Sequence, residues 1–377
     1  MLSAQLLVLL LAGGLGMAAL SMALPVLPLT VAATTHDTAI AGVVTAVVAA
    51  FTVALELLSP ALLGRFRARP LLVAAMLVQL AAMAGFAELP ALPAMLVCGA
   101  LAGAGFGLAV TVTVAAIGEL VPPGRSGQAI GYFGVCASVP TILGPPLALL
   151  LLDVRGAGAV FLAGAVACAA GAAACALLRF APSPRAGGPA AGGGGVLAAM
   201  ASPGVPRVWL AFACTTVTYG AAVSFTPLLL GTTGPGSASV FLLVFGVMRM
   251  LGRYAAGRAA DRVGDRRLAL PSLAAGALGL ALLPLDVAPA TVISAAVFGA
   301  AFGVVQTAAF VGMLHGAGPG RSAGVSGIWS VAIDAGIGGG ALAMGPVGAA
   351  IGLSRAFWLL PALFALGFVM RLTDRRR

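Results

Sequence analysis

Gly103-Ala104-Gly105-Phe106-Gly107, with Thr111 four residues on, returns as Gly299-Ala300-Ala301-Phe302-Gly303, with Thr307 four residues on, an offset of 196 from 103 to 299. In the same register, Arg125-Ser126-Gly127 followed by Gly131 is matched by Arg321-Ser322-Ala323 followed by Gly327. Arg65 falls opposite Arg262 once the offset slips by one. Several independent matches at one offset are hard to obtain by chance, even in a chain this rich in Gly and Ala. Each copy lies in an apolar stretch of the length needed to cross hydrocarbon, about 20 residues. Working outward from them, breaks in the apolar pattern give spans near 4–31, 39–62, 70–88, 92–118, 127–152 and 157–179. A second set follows near 207–230, 238–257, 268–285, 288–313, 323–350 and 355–371. An even number of spans per copy puts both copies in the same orientation, as in carriers built from parallel repeats. The expected fold is all-α and membrane-integral: twelve transmembrane helices in two pseudo-symmetric six-helix halves. The halves are 1–180 and 207–377, joined by a flexible linker over 181–206.

Composition agrees. Of 377 residues, 61% are hydrophobic and 8% charged, with a mean hydropathy of +1.12, too little charge to cover a soluble surface. The net charge of +10 would suggest nucleic acid in a soluble protein, but its placement argues otherwise. The chain has no Lys, and sixteen of its twenty arginines fall in alternate loops and the C-terminal tail. The other loops hold Arg155 and Arg355, with Asp37, Glu88, Asp153 and Asp286 on the same side. The positive-inside rule then makes both termini cytoplasmic, in a cell inner (plasma) membrane, and anionic lipid headgroups rather than nucleic acid become the partners of the basic charge. The five cysteines, all within apolar segments and without a C-x-x-C pair, read as small core filler. The first 24 residues have no basic region before their apolar run, and the repeat needs them, so they read as the first span rather than a leader. The run Gly192 to Gly195 lacks the Gly-Lys-Ser/Thr end of a phosphate cradle, which argues against an ATP-driven pump in this polypeptide. Neither a Ser/His/Asp cluster nor metal-ligand spacing is present, so no enzyme, metal or cofactor is expected.

Four charged residues fall inside spans: Glu56, Arg249, Arg253 and Asp334. Each costs about 2.5–3.5 kcal/mol near mid-bilayer on insertion scales, so such groups face a cavity, pair, or titrate. Asp334 ends the stripe Ser326, Ser330, Asp334, whose i,i+4 spacing puts all three on one face of span 11. Desolvation there disfavours the ionised carboxyl. Asp334 is therefore expected to bind and release a coupling proton; a fixed ion pair with a membrane arginine is the alternative. Glu56 shares a face of span 2 with Thr45, Thr52 and Ser59 and stands at the repeat equivalent of Arg253. It is the second proton-coupling candidate, and Glu56 with Arg253 could form a gating ion pair or a structural anchor. Arg249, one turn deeper than Arg253, could attract an anionic substrate or pair with Asp334. His36 and His315 read as solvated loop and helix-end residues.

These residues lead to a resemblance that covers essentially the whole chain. Gly257-x-x-x-Asp261-Arg262-x-Gly264-Asp265-Arg266-Arg267, between spans 8 and 9, resembles the cytoplasmic signature G-x-x-x-D-R-x-G-R-R of the major facilitator superfamily. The equivalent loop between spans 2 and 3 keeps Pro60, Gly64, Arg65, Arg67 and Arg69 in position or charge, with Gly64 where the family has Asp. Gly131-x8-Pro140-x3-Gly144-Pro145 in span 5 resembles the signature of members that export drugs in exchange for protons, although Pro140 stands where that pattern has Gly. Ala-Leu-Pro-x-x-Pro around Pro25 and Pro28 is similar to the first span of arabinose-efflux-like exporters. On physical grounds Gly131, Pro140, Gly144 and Pro145 let span 5 bend and pack closely.

The resemblance implies a secondary transporter that works by rocking of its two halves, with spans 1, 4, 7 and 10 lining the cavity. Uncharged polar groups on those spans, Thr111, Thr215, Thr218, Tyr219, Gln306 and Thr307, become the cavity candidates; Thr113 is another. Asp261 and Arg262, with Arg249 and Arg253, become candidates for gating or ion-pair contacts. A cavity this apolar suits a small amphipathic or uncharged organic solute better than a sugar. The expected function is proton-coupled efflux of such a compound by an antiporter acting as a monomer, with proton-coupled import of a metabolite as the alternative.

Overall fold

The computed structural model describes residues 4–89, 91–120, 126–179, 195–285, 287–318 and 321–373. Twelve long helices follow one another: α1 (Ala4–Thr35), α2 (Val43–Arg65), α3 (Ala68–Glu88), α4 (Leu92–Leu120), α5 (Ser126–Arg155), α6 (Ala157–Ala176), α7 (Val205–Leu230), α8 (Ala238–Val263), α9 (Asp265–Leu280), α10 (Ala288–Ala317), α11 (Ser322–Ile351) and α12 (Leu359–Leu372). Short helices Val196–Met200 and Leu353–Phe357 precede α7 and α12. No strand occurs among the described residues. Among the described residues, twelve segments are long and apolar enough to cross a membrane, the ninth running on to Leu285 and the twelfth starting at Leu353. A helix satisfies every backbone group within its own segment, which an apolar solvent demands. Large apolar side chains also sit on the outside, among them Leu11, Val97, Val166 and Leu278, as a protein bathed in lipid requires.

The chain divides into two compact units, Met1–His36 with Val47–Pro189, and Asp37–Ala46 with Ala190–Arg377. In the first, α1 packs on α4, α5 and α6, and α3 packs on α4 and α6. In the second, α7 packs on α10, α11 and α12, and α9 packs on α10 and α12. The pairings correspond one to one when six is added to each helix number. The glycines of the repeated stretch explain part of this. A Cβ at Gly103 would overlap the carbonyl oxygen of Val48, and one at Gly107 that of Thr52, both on α2. A Cβ at Gly299 would overlap Phe245, and one at Gly303 the Arg249 carbonyl, both on α8. Without side chains at these positions, the fourth helix of each unit lies backbone against backbone on the second. Thr111 donates to the Gly107 carbonyl at 3.0 Å and Thr307 to the Gly303 carbonyl at 3.4 Å, so the repeat extends to single bonds.

The helices run further than the apolar windows. α8 continues through the signature to Val263, where Gly264 turns the chain at φ +87° and its N–H bonds the Ala260 carbonyl. Asp265 then opens α9, an acid in the first turn where the helix dipole favours it. The signature is therefore mostly helix end rather than loop. Most of the stretch expected as a flexible linker lies outside the described residues. Its last part does not hang free: Ala199 of Val196–Met200 is fully buried, that helix packs on α11, and Arg321 donates to the Ser202 hydroxyl at 2.7 Å.

Candidate functional site

α7 and α11 lie closely enough that a Cβ at Gly220, Gly336 or Gly340 would strike the backbone of the other helix. The Thr216 hydroxyl crosses this contact to the Ala332 carbonyl at 2.7 Å. Asp334 follows two residues later and is half-buried, as is Ser330, while Ser326 is exposed. The stripe on α11 thus opens toward Ser326 and is screened at Asp334. Among the described residues its carboxylate takes part in no ion pair within 4 Å. In the first unit Glu56 is half-buried on α2, whose Thr52 and Ser59 are buried, and Ser59 donates to the Glu56 backbone carbonyl at 2.8 Å.

Arg249 is held by aromatic rings. Its Nη1 donates to the Tyr219 hydroxyl at 3.1 Å, and its guanidinium carbon lies 5.6 Å from the Tyr219 ring centroid and 6.0 Å from that of Phe245. Tyr219 in turn stacks on Phe245 at 5.4 Å and Phe302 at 4.7 Å. One turn along α8, the exposed Arg253 lies 6.0 Å from the centroid of Trp329. Cation–π contacts of this kind are worth about 0.5–2 kcal/mol and suit a guanidinium in an apolar setting.

The cavity candidates divide. Thr111 and Thr307 are half-buried, their hydroxyls bonded one turn back along their own helices. Gln306 is 3% exposed, its backbone carbonyl accepts the Trp329 indole N–H at 3.1 Å, and its Oε1 has no hydrogen-bond partner among the described residues. Thr215 and Thr218, expected beside Tyr219, lie deeper in the bundle than its ring. Both are fully buried, their hydroxyls bond the Phe212 and Cys214 carbonyls, and Thr215 lies near Gly367 of α12. Spacing along α7 puts the three on one side, but the Tyr219 ring turns to α8 and α10 while the threonines turn into the bundle. Pro140, Gly144 and Pro145 lie in α5 against α1: Ser21 donates to the Pro140 carbonyl at 2.9 Å, and a Cβ at Gly144 would overlap the Ser21 hydroxyl. Gly131 falls in the N-terminal part of α5, its surroundings outside the described residues, as is the side chain of Asp261. Arg262 is exposed.

A helical bundle with this repeat and these membrane charges has counterparts among known proteins. A family model described as "Major Facilitator Superfamily" matches residues 9–341. The chain belongs to the Major Facilitator Superfamily. It is a multi-pass membrane transporter and not an enzyme. The "Chloramphenicol resistance protein" of Streptomyces lividans is 37% identical over 208 residues, 53% of this chain and 52% of that protein, so the match spans about half of each. Among solved structures, an auto-inhibited POT family peptide transporter has a TM-score of 0.79 at 13% identity, covering 100% of this chain and 98% of its own. The human organic anion transporter MFSD10 (TETRAN) has a TM-score of 0.64 at 17% identity, covering 97% and 98%. At such identities these two likenesses speak to the superfamily fold alone.

Two sets of contacts in this superfamily member go beyond what the sequence foretells. Asp265, opening α9, forms an ion pair with Arg371 of α12, which is only 3% exposed, and lies 3.8 Å from His315 Nδ1 at the end of α10. The sequence reads Arg371 as a topology charge and His315 as solvated; His315 is indeed largely exposed, but beside a carboxylate. The second set repeats in both units. Arg69 donates to the Ala176 carbonyl that ends α6, and Arg266 to the Leu372 carbonyl that ends α12. Each arginine neutralises a helix C-terminus. The signal is present in the sequence: 69 to 266 and 176 to 372 keep the repeat offset within one residue, but both carbonyls belong to apolar stretches that carry no motif.

Proposed function

We propose that the protein exports a small amphipathic or hydrophobic organic compound in exchange for protons, by alternating access of its two halves. The observation that carries export is the likeness to a chloramphenicol resistance protein, since a membrane carrier lowers the internal concentration of a compound by moving it outward. Two membrane carboxyls support the coupling to protons. Asp334 stands half-buried in a membrane span, on a helix fixed to α7 by Thr216 and three glycines, where a carboxyl cycles between a neutral and a charged state at a large difference in solvation. Glu56 is the second proton-binding candidate. Tyr219, Arg249 and Thr307 on α7, α8 and α10 are the half-buried polar groups of the second unit proposed to meet the substrate, and Thr111 on α4 is the candidate of the first. The protein works as a monomer in the cell inner membrane, both termini in the cytoplasm, with anionic lipids around its arginine-rich loops.

Inside-out vesicles with an imposed pH gradient test the direction. Accumulation of an amphenicol or a lipophilic dye that collapses when the gradient is dissipated supports export. Gradient-driven accumulation by right-side-out vesicles alone would replace export with import.

A further inference from the structure

Within the first unit α1 and α4 do not close on each other completely. The crevice between them is lined by Gly13, Gly16 and Met17 of α1 and by Phe106, Ala109 and Thr113 of α4. Met17 and Phe106 are half-buried and form its outer edge, while Thr113 is 1% exposed and lies inside. A threonine in a helix ordinarily bonds a carbonyl one turn back, as Thr111 does with Gly107 and Thr52 with Val48. Thr113 does not: its hydroxyl has no hydrogen-bond partner among the described residues. A second oxygen in the same condition lies behind Gly16. Gln79 of α3 is fully buried and donates through Nε2 to the Gly16 carbonyl at 2.9 Å, but its Oε1 has no partner among the described residues. A Cβ at Gly16 would stand 3.3 Å from that oxygen. Buried polar atoms without partners are rare in a folded core, and here two of them border one crevice too narrow, as it stands, to admit a water molecule.

The second unit has a crevice in the same register. Val208, Ala211 and Phe212 of α7 stand 195 residues beyond Gly13, Gly16 and Met17, and Val305 and Ala309 of α10 stand 196 beyond Ala109 and Thr113. Four of these five side chains are larger than their counterparts, and at the fifth, Ala309, the hydroxyl is gone. The small walls and the unpartnered hydroxyl therefore distinguish the first unit.

We propose that the α1–α4 crevice is a substrate-binding site of the first half, opened when α1 draws away from α4. Thr113 Oγ1, with Gln79 Oε1 behind Gly16, accepts a hydrogen bond from a hydroxyl or amide N–H of the substrate. No lining residue is ionisable, so the part of the molecule that enters is uncharged. This rests on the reading of the protein as a carrier of small organic compounds and adds to it the group that the first half recognises.

Equilibrium binding to the purified full chain in detergent tests the site separately from export, because it needs neither a gradient nor sidedness. The probes are two forms of one neutral aryl fluorophore, a primary alcohol and its methyl ether. The alcohol should bind about tenfold more tightly than the ether, and Thr113→Val, which keeps the shape and removes the hydroxyl, should erase that preference. Thr113→Ser should retain it. A hydroxyl that is merely buried without a partner predicts the opposite: Thr113→Val would raise the unfolding midpoint and leave the alcohol-to-ether ratio alone. That unchanged ratio overturns the proposal and leaves the crevice to water on opening; so does equal binding of the two probes by the unaltered protein, or failure of both to bind. Should Thr113→Val not fold, Gly16→Ala decides, since its methyl would meet only the end of the flexible Met76 side chain and would narrow the crevice. Weaker binding of the alcohol in that variant supports the site, and undiminished binding overturns it. Loss of outward flux with the probe preference intact would count against export and leave the site standing.

Discussion

Asp334 and Arg371 are ionisable side chains of one bundle in different settings, the first in no ion pair within 4 Å among the described residues and the second paired with Asp265. Arg371 is closed off from solvent beside Asp265, so removing either group takes the main ion-pair partner from a buried or half-buried charge. Arg371→Ala should destabilise the second unit by about 3 kcal/mol, read as a lowered unfolding midpoint in detergent, and Asp265→Asn combined with it should add little further. The Arg249–Tyr219 bond is a smaller matter. Tyr219→Phe removes a single hydroxyl and should weaken substrate binding by about 1–2 kcal/mol while the ring stacking persists, which titration of a fluorescent substrate would measure. Residue by residue, charge within the spans is legible in the sequence because Glu56, Arg249, Arg253 and Asp334 stand out in apolar surroundings. Partners are not legible there. The fixed contacts of Arg371 and Arg249 come from helices more than about 25 residues away, and no spacing rule along one helix reaches them. Thr215 and Thr218 show that helical spacing gives a shared side with Tyr219 but not depth, since both are fully buried where Tyr219 is half-buried.

At the level of helices, glycine decides how near two backbones can come. Gly340 lies against the Val217 carbonyl across the α7–α11 contact, whereas Gly339, its neighbour, faces open space. Gly340→Val should therefore cost about 3 kcal/mol or more and abolish a well-folded product, while Gly339→Ala should be tolerated; yields of monodisperse protein would show the contrast. The paired arginine caps make a finer forecast. Arg69→Ala and Arg266→Ala each withdraw one guanidinium from a helix C-terminus and should each lower stability by about 1 kcal/mol. Unequal effects would mean that the two copies have diverged in use. Helix existence and order are readable because runs of about 20 apolar residues have few other readings in a membrane. Helix ends are not, because α8 carries its polar signature residues inside the last turns and only the positive φ of Gly264 ends it.

For the whole molecule, duplication explains the architecture: six helices pack in one pattern, and the next six repeat it down to the Thr111 and Thr307 bonds. The copies then part company at the charges, with Glu56 on α2 where Arg253 stands on α8 and Asp334 confined to the second copy. A carrier needs such asymmetry, since symmetric scaffolding can rock while an unequal set of ionisable groups ties the motion to proton movement. If Asp334 makes this tie, proteoliposomes containing Asp334→Asn will separate substrate counterflow from gradient-driven accumulation. Counterflow should persist while accumulation against the pH gradient is lost; accumulation equal to that of the unaltered protein would remove Asp334 from the coupling role.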